Sequence, residues 1–442
     1  MGKFSKLGFI LATLGSSIGL GHIWRFPYMV GTNGGSAFVL LYLVLTLSLG
    51  IAMLLVDMVI GSLGKKDVVS NYEILDTKHK KYYKFTSIFL LGGPLILSFY
   101  AVVLGWVLYY LFVVTFDLPK DLEQAKAQFN LLQNNNLTWQ IIGFSACLFP
   151  TIWFVSKGIK EGIEKLSMVL MPLLFIIFIG LLIYAMTLES LPKAIHYLFS
   201  FDFQKIDFKV FMDALGQMFF SLSLGVGTII TYSAFTPEKE NLLKSSLYII
   251  LPGILISLIA GVMIFTFVFE HHVDVAQGPG LVFVSLPLIF SEMGMSGQII
   301  SLFFFLALAF AGITSTVSLL EPLVLYLINR FNFSRTKASL VLGMVVYLLG
   351  VLVIFSIDER YAKSLSFANK NVFAWIDFLT SSFLMPLGGL FSVLFVGWLL
   401  NKSKSLQATK HFLNKTLFEI WHFSVRFIAP IVILAIFLLQ FK

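Results

Sequence analysis

The residues near the start of the chain that could do chemistry are Ser16, Ser17, His22 and Arg25. They are set among Gly15, Gly19 and Gly21 in the run Gly15-Ser16-Ser17-Ile18-Gly19-Leu20-Gly21-His22-Ile23-Trp24-Arg25. This run lies in the middle of an apolar segment, 7–30, that is long enough to cross a bilayer. In hydrocarbon an unsatisfied backbone group costs several kcal/mol, so helix-weakening residues at that depth need protein or a polar cavity beside them. A helix broken there exposes amides on one half and carbonyls on the other, and such ends bind small ions and zwitterions. Close packing through small residues explains the glycines. It does not explain a histidine and an arginine beside them.

A second stretch has the same character. Gly216-Gln217-Met218-Phe219-Phe220-Ser221-Leu222-Ser223-Leu224-Gly225-Val226-Gly227 interrupts another apolar segment with serines and glycines at mid-depth. Paired interruptions at corresponding places in two halves are the best sequence pointer to a transporter site.

The elements that must position these residues are long apolar helices. Of 442 residues, 58% are hydrophobic and only 12% charged, about half the charged fraction of a soluble domain. Mean hydropathy is +0.90. Eleven spans are expected, at 7–30, 37–63, 85–116, 139–155, 163–187, 209–233, 242–269, 297–327, 337–357, 372–400 and 418–439. The chain therefore reads as a single transmembrane domain over 1–442. Spans 1–5 (7–187) and 6–10 (209–400) form two sets of five, followed by span 11 (418–439). The run 270–295 predicts a short helical cap, and no separate soluble domain or cleavable signal peptide is expected.

Net charge is +8, but the basic residues fall in short loops, which points to a lipid bilayer and not to nucleic acid. Lys65, Lys66, Lys78, Lys80, Lys81 and Lys84 follow span 2, Arg330, Arg335 and Lys337 follow span 8, and Lys402, Lys404, Lys410 and Lys415 follow span 10. All share a side with Lys3 and Lys6, so the N-terminus is expected in the cytoplasm and Lys442 outside, in a cell (inner) membrane. Cys147 is the only cysteine, so no internal disulfide forms. The histidines are scattered, and His271-His272 lacks carboxylates at metal spacing, which argues against a membrane enzyme.

Gly-Leu-Gly-x-x-x-Arg-Phe-Pro in span 1, Asn33-Gly34-Gly35-Ser36-Ala37-Phe38 after it and Gln217-x-Phe219-Phe220-Ser221-Leu222-Ser223 in span 6 resemble the neurotransmitter:sodium symporters. So do Ser98-Phe99-Tyr100 with Trp106 in span 3 and Ala311-Gly312-Ile313-Thr314-Ser315 in span 8. Eleven spans and short loops are similar to the bacterial amino-acid branch. The resemblance implies an all-α polytopic fold, a 5+5 inverted repeat with helices 1 and 6 broken, and sodium-driven amino-acid symport by alternating access. An amino-acid-binding receptor and a proton-coupled transporter are the alternatives on the same fold.

By the same resemblance the substrate carboxylate meets the amides of Leu20 and Gly21 and the hydroxyl of Tyr100, in keeping with the affinity of helix N-termini for anions. Its ammonium meets carbonyls of Ser17, Phe220, Ser221 and Ser223, beside Ser16. Gly19 stands where amine-carrying relatives have an aspartate, which leaves room for an amino-acid carboxylate. Ile96, Phe220, Val226, Ser315 and Leu319 would line the side-chain pocket, implying a neutral apolar or aromatic group. For sodium, the second site of the family maps to carbonyls of Gly15, Ile18 and Ala311 with the hydroxyls of Thr314 and Ser315, an all-oxygen set suited to a hard cation.

The first sodium site departs from the family. Asparagine in span 1 is His22 and the span 7 asparagine or aspartate is Gly253, leaving Ser17 and Ser221. His22 either carries a proton in place of that sodium, so that one sodium accompanies each substrate, or fills the site as a neutral ring on a backbone carbonyl. Tyr42, Gln217, Ser221 and Ser257 match the chloride ring of relatives, but Gly253 breaks it; chloride and the carboxylate of Asp57 stand as alternative negative charges. Arg25 and Asp377 match the gating ion pair, with Phe220 as lid. On the opposite side Phe235 and Asn329 replace gating polar residues, which predicts closure by packing. The spacing of Gly162, ten residues before Pro172, resembles the family element that unwinds to admit water to the second sodium site; a glycine and a proline also simply kink a helix.

Overall fold

The computed structural model describes residues 3–237, 240–271 and 280–439. All but a two-stranded antiparallel ribbon, Ser366–Phe367 with Lys370–Asn371, is helical or connecting chain. Among the described residues nine helices are long and apolar enough to cross a membrane, and a tenth forms if the bent pair Lys6–Ser17 and Gly21–Thr32 counts as one span. The remaining expected span, the sixth, is two shorter helices, Phe208–Ser221 and Thr228–Ser233. Burial follows the pattern of a protein in lipid. Ile159–Ala185 has a mean hydropathy of 2.9 over its most apolar stretch, yet only 33% of that stretch is buried, so apolar side chains such as Ile176 and Ile183 face outward.

Span 1 begins where Ser5 caps Lys6–Ser17, its hydroxyl accepting from the Gly8 amide at 3.0 Å. The helix stops at Ile18, whose backbone is extended (ψ 93°). It resumes through Gly21–Arg25 and Phe26–Thr32 with Pro27 in the first turn, the two halves bent by 52°. In span 6 the break covers 222–227, where Ser223, Gly225 and Gly227 have φ of 51°, 84° and 81°. A side chain with Cβ rarely takes that left-handed backbone, which is why glycines recur in the break.

Spans 3 and 8, Gly92–Phe112 and Met295–Phe331, pack on one another and flank the breaks. Span 2 (Ser36–Gly64) and span 7 (Leu242–Glu270) close the other side. The expected cap after span 7 is the helix Leu281–Glu292, and 272–279, including His272, lie outside the described residues, as does Lys442. Spans of alternating direction put residues 3–6, the 65–84 loop and Asn329–Lys337 at one face, called here the N-terminal face.

Candidate functional site

The two breaks meet. The Ser223 hydroxyl, in the span 6 linker, donates to the Ser16 carbonyl at 2.9 Å. Between the breaks lies a small cavity of about 40 Å³, room for about three waters. It is lined by Ser16, Ser17, Gly19, Leu20, Gly21, Ile96, Tyr100, Phe220, Ser223, Val226, Ser315, Leu319 and Met385. Every residue expected around a substrate is therefore brought together except Ser221, which sits behind the wall. The hydroxyls of Ser16 and Ser17 are buried and unpartnered among the described residues.

At one end the Leu20 amide donates to the Tyr100 hydroxyl at 3.2 Å. This end is crowded by design of the backbone: a Cβ on Gly19 would lie 2.6 Å from Ser315 Oγ and 2.8 Å from Tyr100 Oη. A side chain there, an aspartate included, would require one or both of these hydroxyls to shift. A Cβ on Gly21 would lie 2.5 Å from the Phe220 ring, so the ring rests directly on the span 1 backbone.

Four of the five residues expected for the second sodium, Gly15, Ala311, Thr314 and Ser315, also meet. Ser315 Oγ is 3.1 Å from both the Gly15 and the Ala311 carbonyl oxygens, joining span 8 to span 1. Thr314 Oγ1 bonds back within its helix, to Ala311 at 3.0 Å and Phe310 at 3.1 Å, while lying 3.3 Å from where a Gly15 Cβ would be. Ile18 is fully buried at the break. From span 5, Met171 covers this corner, its Sδ 3.4 Å from the same Gly15 position.

The first-site residues look different. His22 is buried, its Nε2 3.1 Å from the position of a Gly253 Cβ. The imidazole occupies the room that glycine leaves. The Ser17 carbonyl is the backbone group acting on the ring, and Nδ1 has no partner among the described residues. Beside it Gln217 Nε2 donates to the Gly21 carbonyl (2.9 Å) and to Ser221 Oγ (3.0 Å). The Tyr42 hydroxyl points among those of Thr46, Ser221 and Ser257. Asp57 does not reach this cluster. It lies fifteen residues beyond Tyr42 in the same span, roughly 22 Å at 1.5 Å per residue, and its neighbour is Ser392 instead. The expectation that Asp57 supplies charge beside the ring is thus corrected by helix geometry.

Above Phe220, on the side away from the N-terminal face, a cavity of about 440 Å³ is lined by Trp24, Arg25, Tyr28, Asp213, Phe373 and Asp377 among others. Arg25 donates to Gln217 Oε1 at 3.3 Å and lies 5.1 Å from the Phe220 ring centroid, instead of bonding Asp377. The expected gate residues share one chamber with the ion pair open.

The N-terminal face is closed, and not by packing alone. The Ser5 amide (3.2 Å) and hydroxyl both donate to Glu164 Oε1, and the Phe4 amide donates to Phe235 O at 3.0 Å. Phe4 packs edge-on to Tyr232 at 5.5 Å. Asn329 bonds Asp67 at 2.9 Å, and Arg335 pairs with buried Glu321 at 2.7 Å. Glu164 ends the wide turn Ile159–Glu164 that holds Gly162, and its role was not legible from spacing. Met385 in the central wall was missed as well.

The model of the sodium:neurotransmitter symporter family matches residues 3–130 and 122–442. An uncharacterized sodium-dependent transporter of Bacillus subtilis (strain 168) is 33% identical over 98% of this chain and 96% of its own. A second, from Haemophilus influenzae, is 34% identical over 98% and 96%. The crystal structure of MhsT in complex with L-phenylalanine superposes with a TM-score of 0.89 at 37% identity, covering 99% of each chain. With so broad a match around two facing helix breaks, the chain belongs to the sodium:neurotransmitter symporter family, a family of sodium-dependent membrane transporters and not of enzymes.

Proposed function

We propose that this protein takes up a neutral, apolar or aromatic L-amino acid together with sodium, by alternating access around the central cavity. The observation that carries the proposal is the junction of the two breaks at Ser16 and Ser223, with a cavity between them lined by residues of both. A zwitterion suits this arrangement. Its carboxylate takes over the Leu20 amide from Tyr100, joins the Gly21 amide and accepts the Tyr100 proton as a hydrogen bond. Its ammonium meets the carbonyl end formed by Ser17, Phe220, Ser221 and Ser223. Ile96, Val226 and Leu319 take the side chain, and a sodium ion displaces the Ser315 hydrogen bonds to sit among Gly15, Ile18, Ala311, Thr314 and Ser315.

The sodium count follows from His22. An imidazole packed over Gly253 fills the room of a first ion and is a poor ligand for a hard cation, so one sodium moves per substrate. The resting arrangement, open above Phe220 and tied shut at Ser5 and Glu164, is the outward-facing state of a single domain spanning 1–442, with the N-terminal face cytoplasmic. Arg25 then swings from Gln217 to Asp377 as Phe220 seals the substrate. That MhsT binds L-phenylalanine supports the aromatic end of the substrate range. The test is a thermal-stability screen of the purified protein with the twenty L-amino acids and their decarboxylated amines, with and without sodium. A ligand that binds the folded state at a hundred times its Kd stabilises by about 2.7 kcal/mol. Stabilisation by neutral apolar amino acids only with sodium is expected, and equal stabilisation by a matching amine would overturn the reading.

A further inference from the structure

Five residues line both the central cavity and the chamber above it: Leu20, Gly21, Tyr100, Phe220 and Met385. The first four have roles in the proposed cycle as amide donors, hydroxyl donor and lid. Met385 has none. It opens the helix Met385–Leu394 of span 10, with Pro386 in the first turn. Its backbone is pinned. A Cβ on Gly225, in the span 6 break, would overlap the Met385 carbonyl, and a Cβ on Gly388 would overlap the Gly225 carbonyl. Span 10 thus lies backbone to backbone on the unwound linker, and only the Met385 side chain is free to adjust.

We infer that Met385 is a specificity-determining residue, its thioether forming the movable wall against which the side chain of the transported amino acid is measured. The inference rests on reading the central cavity as the amino-acid site. About 40 Å³ is too little for an aromatic side chain, so a wall must move to admit one. Ile96 and Leu319 belong to the long helices of spans 3 and 8, and Phe220 is held between the Gly21 backbone and Arg25. Met385 is buried, unbranched and has three rotatable bonds, so it yields most easily and packs well against an aromatic ring. Truncating it deepens the pocket; enlarging it makes the pocket shallower.

The experiment measures competition by L-leucine, L-phenylalanine and L-tryptophan against a bound radiolabelled amino acid, at saturating sodium, on wild type, Met385→Ala and Met385→Phe. One methylene of pocket space discriminates by roughly 10- to 200-fold. Met385→Ala should shift the tryptophan-to-leucine affinity ratio towards tryptophan by about tenfold or more, and Met385→Phe should shift it by a similar factor towards leucine. Should Met385→Ala fail to fold, the Phe variant decides alone. Ratios unchanged in the variants, where wild type binds, would overturn the role of Met385. No sodium-dependent binding of any amino acid to wild type would overturn the site reading and this inference with it.

Discussion

Replacing Ser315 with alanine removes the side chain that bridges the span 1 and span 8 carbonyls proposed to hold sodium. Its Oγ lies 3.1 Å from both Gly15 O and Ala311 O, so a single atom joins span 1 to span 8 at the ion position. In the sodium-free state the loss is an ordinary neutral hydrogen bond, about 1 kcal/mol. In the bound state it is an oxygen dipole on a cation, in the range of bonds to charged groups, about 1.5–3 kcal/mol. The half-saturating sodium concentration for amino-acid binding should therefore rise by roughly 10- to 150-fold, if the loss falls wholly on the bound state. The neutral bond lost from the free state trims this range towards its lower end. Thr314→Val keeps the side-chain shape and removes only the hydroxyl, so it should act in the same direction with less effect on packing. The assay is a sodium titration of radiolabelled amino-acid binding to purified protein, with melting temperature as the folding control. A half-saturating concentration within twofold of wild type when Ser315→Ala and Thr314→Val are combined would refute the assignment.

Three further outcomes follow from the geometry. Tyr100→Phe removes a charge-assisted donor to the carboxylate and should weaken amino-acid binding by about tenfold or more, leaving sodium-free stability little changed; competition binding checks this. Gly253→Ala places a methyl 3.1 Å from His22 Nε2 and should destabilise the protein, whereas the same change with His22→Asn should be tolerated, as a melting comparison will show. Glu164→Ala releases both Ser5 donors and should shift the equilibrium towards a state open at the N-terminal face by about tenfold or more. A cysteine placed at Thr236 reports this opening by faster labelling, against a native Cys147 that is buried.

The fold was legible because hydrophobic length and interruption are local properties. The breaks at 18–20 and 222–227 fall where glycine and serine cluster, and each apolar run became a helix or a pair of half-helices. The floor of the central cavity was legible for the same reason, since amides and carbonyls freed at a break belong to the residues of that break. What the sequence could not show depends on distant chain segments meeting. Met385 reaches the cavity only because Gly225 and Gly388 let two backbones touch. Glu164 reaches Ser5 across 159 residues, and a Cβ on Gly8 would overlap its carboxylate. Asp57 failed in the other direction: its residue type suggested a charge near the Tyr42 cluster, but helix rise carries it four turns away to Ser392.

The central claim is that an amino acid and one sodium ion move together through the junction of the breaks. Uptake into proteoliposomes tests it most directly, with radiolabelled L-phenylalanine outside and an inward sodium gradient as the only driving force. Transient accumulation above the external concentration, abolished when potassium replaces sodium and with a Hill slope near one for sodium, is the predicted result. Accumulation that is unchanged in potassium, or driven by a proton gradient alone, would contradict the account.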